Sequence, residues 1–185
     1  MRVIGGEFRS RRLKSLPSLK LRPTPDRLRE TLFNILAARI AGAVFLDAYA
    51  GSGAVGLEAL SRGAARAIFL EKHRAAVAVI RENVAALRLE GRAEVVHGEA
   101  LAQLGRFAVD IAFLDPPYEA ERECCAALRR LAQAPPPLVV VQHSTRTSLA
   151  EAFGTLRRFR LLRQGDNALS FFEPRPAAAG MRDRP

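Results

Sequence analysis

The feature that most constrains the fold is a glycine-rich loop between a short apolar strand and a helix. A strand is predicted at residues 44–46 and a helix at 54–62, and the segment 47–56 between them reads DAYAGSGAVG. Gly51, Gly53 and Gly56 have the GxGxxG spacing of nucleotide-binding βα turns, in which glycine lets the backbone approach a ligand closely. The spacing alone is weak evidence, because small residues at a tight turn also serve packing. The flanking elements therefore decide the interpretation.

Strands and helices alternate on both sides of this loop. Further apolar strands are predicted at 67–70, 94–96, 109–114 and 138–141, and helices at 73–88 and 119–133, with a short helix after the third strand. An earlier helix follows Thr24-Pro25-Asp26, where Thr24 is the expected N-cap, and Gly42 ends it. Strands at 156–163 and 168–173, with a turn at 164–167, read as a hairpin. The pattern predicts a doubly wound α/β fold: a mostly parallel seven-stranded sheet, helices on both faces and a C-terminal antiparallel hairpin.

The basic residues are concentrated at the N-terminus. The chain of 185 residues carries a formal net charge of +10, and residues 1–22 hold seven basic residues and one acid. We expect a basic N-terminal arm (1–22), one α/β domain (23–173) and a disordered tail (174–185). The arm is either solvated chain or a surface that neutralises nucleic-acid phosphates. In the second interpretation Arg9, Arg11, Arg12, Lys14 and Arg22 are the candidate phosphate contacts.

The remaining composition excludes several classes of protein. The two cysteines, Cys124 and Cys125, are adjacent, which argues against disulfide scaffolds and cysteine-based metal sites. His73, His97 and His143 lie in separate segments without ligand spacing, so no metal is expected. No segment is long and apolar enough to predict a membrane span, and the N-terminus is not typical of a signal peptide. The sequence therefore predicts a cytoplasmic protein with a polyanionic partner.

Two carboxylates near the glycine loop indicate the kind of ligand. Glu71 ends the second strand, 20 residues after Gly51, where a carboxylate accepts hydrogen bonds from ribose hydroxyls. Asp47 ends the first strand, where it would repel a pyrophosphate and attract a cation. S-adenosylmethionine carries an ammonium and a sulfonium and no phosphate. The pattern therefore favours S-adenosylmethionine over a nicotinamide dinucleotide, which remains the alternative.

A second motif, Asp115-Pro116-Pro117-Tyr118, directly follows the fourth strand. An exocyclic amino group of a base is a poor nucleophile, because its lone pair is delocalised into the ring. The Asp115 carboxylate and the Pro116 carbonyl could accept hydrogen bonds from its hydrogens and localise that pair, and proline makes the turn rigid. Tyr118 could stack on an extruded base. The motif predicts methyl transfer to an amino nitrogen without a metal or a covalent intermediate.

Together these residues resemble the RsmD family of bacterial small-subunit ribosomal RNA guanine-N2 methyltransferases. The resemblance covers nearly all of residues 1–172. It includes RVIGG at 2–6, RPTPDRLRETLFNIL at 22–36, DAYAGSGAVG at 47–56, GLEALSRGA at 56–64 and DPPY at 115–118. It implies a class I methyltransferase domain with a short N-terminal extension. It also implies methylation of guanine 966, in the usual small-subunit RNA numbering, on naked RNA or on an assembling 30S particle.

Carried over by position, the resemblance assigns roles to particular residues. Asp47, Gly51, Ser52 and Gly53 would line the methyl donor, Glu71 would hold its ribose, and residues 115–118 would hold the base. After the third strand the family usually has Asp-Ala or Asn-Ala, whereas this chain has Glu99-Ala100, which we expect to reach the adenine. The turn at 164–167 also departs from the family pattern. Arg27 and Asn34 belong to the matching block, either near the site or on a solvated helix surface.

Three other functions remain open at this stage. The first is amino-group methylation of another RNA or DNA base, although 185 residues leave little room for a DNA-recognition domain. The second is a nicotinamide-dependent oxidoreductase, against which Asp47 argues. The third is a non-catalytic RNA-binding protein with the same fold, against which the intact loop and tetrapeptide argue.

Overall fold

The computed structural model describes residues 1–15, 25–116 and 121–175. Five helices lie in these residues: α1 (Asp26–Leu36), α2 (Ala54–Ser61), α3 (Arg74–Ala86), α4 (Ala100–Gln103) and α5 (Glu121–Leu131). Eight strands accompany them: β1 (Val44–Asp47), β2 (Arg66–Glu71), β3 (Ala93–His97), β4 (Ile111–Leu114), β5 (Leu138–Ser144), β6 (Ala152–Phe153), β7 (Leu156–Gln164) and β8 (Asn167–Pro174).

All eight strands form one sheet, in the order β3-β2-β1-β4-β5-β8-β7-β6. The first five strands pair in parallel, and β8, β7 and β6 continue the sheet in antiparallel fashion. This confirms the predicted class I methyltransferase fold with its C-terminal hairpin. The predicted count of seven strands was one too few, because β6 has only two residues, Ala152 and Phe153, and is too short to show an alternating pattern.

The strand order places the candidate site at one point of the sheet. The chain proceeds outwards from β1 to β2 and β3, then returns to β4 on the other side of β1. The carboxyl ends of β1 and β4 therefore flank the position where the order reverses. In doubly wound sheets this is the crevice in which ligands bind.

A hydrophobic core lies on each face of the sheet. On one face α1, α2 and α3 pack over the strands, and the Phe33 ring lies 6.1 Å from that of Phe45. On the other face α5 packs over the alternate strand residues, with Leu128 and Val139 both fully buried. This alternation explains why the strands read as continuous apolar runs.

The first fifteen residues are packed onto the domain. Arg2 and Arg12 form an antiparallel bridge, and Val3 and Leu13 insert into the core beneath α1 and α2. Gly6 has φ +78°, and its backbone lies so close to Ser61 that a Cβ would be 1.9 Å from the Ser61 carbonyl oxygen. We call residues 1–15 the N-terminal hairpin. The solvated-chain interpretation of this segment does not describe residues 1–15.

The observed ends of β5 and β8 lie beyond the predicted ones, and strand pairing explains the difference. β5 runs on to Ser144, because β8 pairs with its polar end, Gln142 with Leu169 and Ser144 with Asn167. β8 includes Pro174, so this position of the predicted tail belongs to the sheet, and the Arg175 N–H donates to the Thr155 carbonyl in the turn before β7. The expected N-cap, Thr24, and the tail residues 176–185 lie outside the described residues. No helix in the described residues is long and apolar enough to cross a membrane.

Candidate active site

The glycine loop turns the chain from β1 into α2. Gly51 and Gly53 both have positive φ, +54° and +79°, a region that glycine enters without steric cost, and Gly53 caps α2. Gly56 serves a different purpose: a Cβ there would lie 2.3 Å from the Phe69 ring on β2. The first two glycines thus shape the turn, and the third lets the helix pack closely against the sheet.

Asp47 lies beneath this loop, almost fully buried. Its Oδ2 accepts a hydrogen bond from the Gly56 N–H at 2.9 Å, and its side chain is about 1% exposed. Burial raises the pKa of Asp47 to about 7; the Gly56 N–H opposes this rise, and the nearby Asp115 and Glu71 carboxylates add to it. A cation placed beside Asp47 would favour its ionised form.

Glu71 joins β2 to the glycine loop. Its Oε2 accepts the Gly51 N–H and its Oε1 accepts the His73 N–H, each at 2.8 Å. A carboxylate has about four acceptor positions, so two remain for further donors. The side chain is therefore fixed in orientation and able to accept a pair of hydroxyl groups.

Asp115 and Pro116 follow β4 at the same edge of the sheet. Asp47 pairs with Phe113, and the Ala48 N–H donates to the Phe113 carbonyl at 3.0 Å, which places the ends of β1 and β4 side by side. Pro116 is buried, whereas Asp115 is partly exposed. Pro117 and Tyr118, the other two members of the predicted catalytic set, lie outside the described residues.

The other candidate donor contacts lie around the loop. Ser52 is partly exposed within it, and Ala100 is buried at the start of α4. Glu99 is exposed just before α4, and its Oε1 lies 3.7 Å from the Lys72 Nζ. The acid therefore follows β3 at the carboxyl edge of the sheet, as expected, and has a basic neighbour.

The candidate phosphate contacts lie on the outside of the N-terminal hairpin. Arg9, Arg11 and Arg12 are exposed. Lys14 is also exposed, but its Nζ lies 2.6 Å from Glu82 Oε2, which offsets its charge. Arg22 lies outside the described residues.

The two residues of uncertain role on α1 are both exposed. Arg27 lies in the first turn of the helix. Asn34 accepts a hydrogen bond from Arg62 at 3.5 Å, next to the C-terminal end of α2. The glycine loop joins the opposite, N-terminal end of α2.

Sequence reasoning missed two polar groups that attach the hairpin to the site. Glu58 accepts the N–H groups of Ile4 and Gly5 at 2.7 and 2.8 Å. Asn83 accepts the Lys14 N–H at 2.8 Å and donates to the Ser52 carbonyl at 3.2 Å, which links the hairpin to the glycine loop. One signal was available, because Glu58 is the only charged residue in the otherwise apolar helix α2.

Metal binding and thiol reactivity would depend on the His, Cys, Asp and Glu side chains of the described residues. In residues 1–15, 25–116 and 121–175 no group of His, Cys, Asp and Glu side chains is arranged to hold a metal ion. Both cysteines are free; Cys124 is buried, and burial raises the pKa of its thiol to about 12. A thiol with so high a pKa is a poor nucleophile at neutral pH.

Comparison with known proteins places the chain in a family. A family model described as "Conserved hypothetical protein 95" matches residues 1–173. The chain belongs to this family, the RsmD family. The match includes the hairpin, the glycine loop and the Asp115 motif, so all the candidate site residues lie within it.

Individual RsmD-family relatives agree with this placement. Escherichia coli "Ribosomal RNA small subunit methyltransferase D" is 48% identical over 120 residues, 64% of this chain and 60% of that protein. The matched segment thus spans less than two thirds of that relative. Bacillus subtilis "Putative rRNA methyltransferase YlbH" is 31% identical over 95% of this chain and its own full length. The solved structure titled "Putative methyltransferase yhhF from Escherichia coli" is 35% identical, with a TM-score of 0.79 over 94% of this chain and 97% of that one.

Proposed function

We propose that this protein is an S-adenosylmethionine-dependent methyltransferase acting on small-subunit ribosomal RNA. The observation that carries the proposal is the meeting of the glycine loop and the Asp115-Pro116 turn at the reversal point of the sheet. One motif suits a nucleoside-bearing cationic donor and the other suits an amino group. The names of the RsmD-family relatives support ribosomal RNA as the substrate.

The residues present fit the donor. The Glu71 carboxylate is already oriented by two backbone N–H groups and has acceptor capacity left for the two ribose hydroxyls. Asp47 is a buried carboxylate whose pKa burial raises to about 7, so an incoming cation would stabilise its ionised form. A pyrophosphate at the same place would be repelled, which disfavours the nicotinamide alternative.

The finer part of the proposal is the target atom. When bound, S-adenosylmethionine supplies a methyl group on a sulfonium sulfur, which an amino nitrogen can attack. We infer that the nitrogen is the 2-amino group of guanine 966. The Asp115 carboxylate and the Pro116 carbonyl would accept hydrogen bonds from its two N–H groups, localise its lone pair and hold it in line with the methyl group. Tyr118 would stack on the extruded base.

In this proposal some residues bind the donor and others act in the chemical step. Acceptors placed where charge develops stabilise the transition state more than the bound ground state. Asp115 can also take up the proton that the nitrogen releases after transfer. Glu71, Ser52 and Glu99 bind the donor and take no part in the chemical step.

Calorimetry tests the class of donor. S-adenosylhomocysteine should bind the purified protein, and a nicotinamide dinucleotide should not. Dinucleotide binding without S-adenosylhomocysteine binding would overturn the proposal. The proposed reaction and partner also imply a cytoplasmic protein that meets ribosomal RNA, either naked or in the assembling 30S particle.

A further inference from the structure

The strand β7 carries an exposed aromatic side chain that the proposed site does not use. Phe159 is 49% exposed, and in the described residues only Leu101 is a comparably exposed large apolar side chain. A β-bulge between Arg158 and Arg160 places two residues of β7 opposite the single residue Phe171 of β8. Bulges of this kind redirect side chains, and here the redirected ring lies at the surface.

Basic groups surround this ring. The Arg39 guanidinium lies 5.9 Å from the centre of the Phe159 ring, and Arg160 lies at the same distance from the Phe171 ring beneath. The Phe159 and Phe171 rings are 6.2 Å apart and tilted, so the exposed ring is supported from one side by a buried one. The ring is therefore held in place while half of its surface remains accessible.

All the charged residues of β7 are basic. The strand reads LRRFRLLRQ, with four arginines and no acid. Arg158 and Arg39 have acidic neighbours, Glu151 at 3.6 Å and Glu173 at 3.8 Å. Arg160 and Arg163 are exposed. Phe159 also lines a groove of about 550 Å³, within the range of about 300–1,000 Å³ for small-ligand clefts. Three arginines and two glutamates share this lining: Arg157, Arg158, Arg175, Glu151 and Glu173.

The position of this patch relates it to the site. Phe171, which supports Phe159, belongs to the same core as Val3 and Leu13 of the N-terminal hairpin, so both basic surfaces lie on the α1 side of the sheet. β7 is three strands from β4, or about 14 Å at the usual spacing of about 4.8 Å between strands. RNA held at the carboxyl end of β4 could extend across this face.

We propose that Phe159, Arg160 and Arg39 form a docking surface for single-stranded RNA flanking the target base. Phe159 stacks on an unpaired base, Arg39 lies against the ring and Arg160 contacts a phosphate, a combination typical of single-strand binding. A protein interface would need a contiguous apolar patch, whereas this surface has a single exposed ring beside arginines, two of which have acidic neighbours. The inference rests on the proposed RNA substrate, and it adds a second contact surface besides the N-terminal hairpin.

The test measures binding of a labelled single-stranded RNA oligonucleotide of mixed sequence by fluorescence anisotropy, in the presence of S-adenosylhomocysteine. Phe159→Ala should weaken binding about five-fold or more at every salt concentration, because stacking contributes roughly 1–3 kcal/mol per base. It should leave the salt dependence unchanged. Phe159→Tyr should keep the affinity, and Phe159→Leu should not. An abasic oligonucleotide of the same length should bind equally to the wild type and to Phe159→Ala.

The salt dependence of RNA binding tests the role of Arg160. Arg160→Ala should reduce the slope of log affinity against log salt by about 0.7, one single-strand phosphate contact. Arg106→Ala is the matched control, because Arg106 is exposed next to Leu104, which belongs to the core of the opposite face. Unchanged thermal melting and S-adenosylhomocysteine affinity would show that the variants fold.

The outcomes separate this inference from the proposed function. If Phe159→Ala and Arg160→Ala bind RNA like the wild type, the docking surface is wrong, whether or not the protein methylates RNA. If both lose affinity as stated while the wild type methylates no ribosomal RNA, the surface stands and the proposed reaction fails. A folded Phe159→Ala whose loss of affinity persists with the abasic oligonucleotide would overturn the stacking role.

Discussion

The backbone N–H of Gly51 lies 2.8 Å from Oε2 of Glu71, which joins two elements 20 residues apart. This hydrogen bond holds the glycine loop against the end of β2 and also orients the Glu71 carboxylate. The Ala50 N–H donates to the Leu70 carbonyl at 3.0 Å and makes the same connection one residue earlier on each element. The glycine loop and the acid that we propose to bind the ribose are therefore joined by two hydrogen bonds between the loop and β2.

The raised pKa of Asp47 predicts how donor binding depends on pH. Because burial raises the pKa of Asp47 to about 7, much of the free protein carries a neutral Asp47 at and below that pH. A cationic ligand favours the ionised form, so binding releases a proton, and affinity should rise with pH up to about 7 and then level off. The change should approach tenfold per pH unit below about 7, the effect of one linked proton.

Calorimetry with S-adenosylmethionine, on wild type and on Asp47→Asn, measures this dependence. Asp47→Asn keeps an oxygen to accept the Gly56 N–H and removes the titration. It should bind more weakly above pH 7 and show a flatter pH profile below it. Identical profiles for the two proteins would show that Asp47 does not face the donor's cationic groups.

The buried charges around Glu58 predict a large effect on stability. Glu58 and Arg29 are both fully buried, with Arg29 Nε 3.8 Å from Glu58 Oε2, and Arg62 Nε lies 2.9 Å from Glu58 Oε1. Glu58→Ala removes an opposite charge from beside the buried Arg29 guanidinium and the hydrogen-bond acceptor of two hairpin N–H groups, those of Ile4 and Gly5. The free energy of unfolding should fall by about 3–5 kcal/mol, as for other broken buried pairs.

Urea denaturation of matched variants measures this difference. Glu94→Ala breaks the exposed pair with Arg66, and exposed pairs contribute only about 0–1 kcal/mol. A loss for Glu58→Ala no larger than that for Glu94→Ala would mean that the hairpin is not anchored through Glu58.

The exposed arginines of the N-terminal hairpin predict the salt dependence of RNA binding. Replacement of Arg9, Arg11 and Arg12 by Ala should reduce the slope of log affinity against log salt by about 2 to 3, since each phosphate contact contributes roughly 0.7 to 0.9. The matched control replaces Arg106, Arg129 and Arg130, which are exposed on the α5 side. Equal slopes for the two triple variants would mean that the hairpin makes no specific phosphate contacts.

Local patterns in the sequence were sufficient for most of the sheet. Apolar runs and turn residues predicted β1 to β5 and the C-terminal hairpin of β7 and β8, and the glycine loop and the acids were placed correctly at the ends of their strands. The roles of these residues in the candidate site stay predictions. Packing of the N-terminal segment was not predictable in the same way. Val3 and Leu13 are buried among residues far away in sequence, and the five basic residues within residues 1–15 obscured these two apolar positions.

The burial of Asp47 was also beyond sequence reasoning. Its place at the end of β1 was predicted correctly, but the sequence treated it as an open charge partner for a ligand. In the structure α2 covers Asp47, and the Gly56 N–H donates a hydrogen bond to its carboxylate. This is possible because Gly56, which has no Cβ, packs closely against Phe69 and lets α2 lie against the end of β1. Burial of this kind depends on tertiary packing, and the spacing of residues along the sequence does not reveal it.

Asp115 is expected to act in the chemical step. An acceptor that strengthens as the nitrogen becomes pyramidal contributes to the transition state more than to binding. Asp115→Ala should therefore lower kcat about 100-fold or more and leave RNA and S-adenosylhomocysteine affinities nearly unchanged. Asp115→Asn should retain part of the activity, because its amide oxygen still accepts. Single-turnover methylation measures the rate, and a wild-type rate for Asp115→Ala would contradict the proposed mechanism.

The central claim is that the protein methylates the amino group of a guanine in small-subunit ribosomal RNA. The most direct measurement takes that RNA from a strain lacking the protein, incubates it with the protein and S-adenosylmethionine, and locates new methyl groups by nuclease digestion and mass spectrometry. The same incubation with Asp115→Ala controls for contaminating enzymes. The account predicts one new methyl group, on the 2-amino nitrogen of guanine 966. Methylation at a ring nitrogen, a ribose hydroxyl or another base, or no methylation of naked RNA and 30S particles alike, would contradict it.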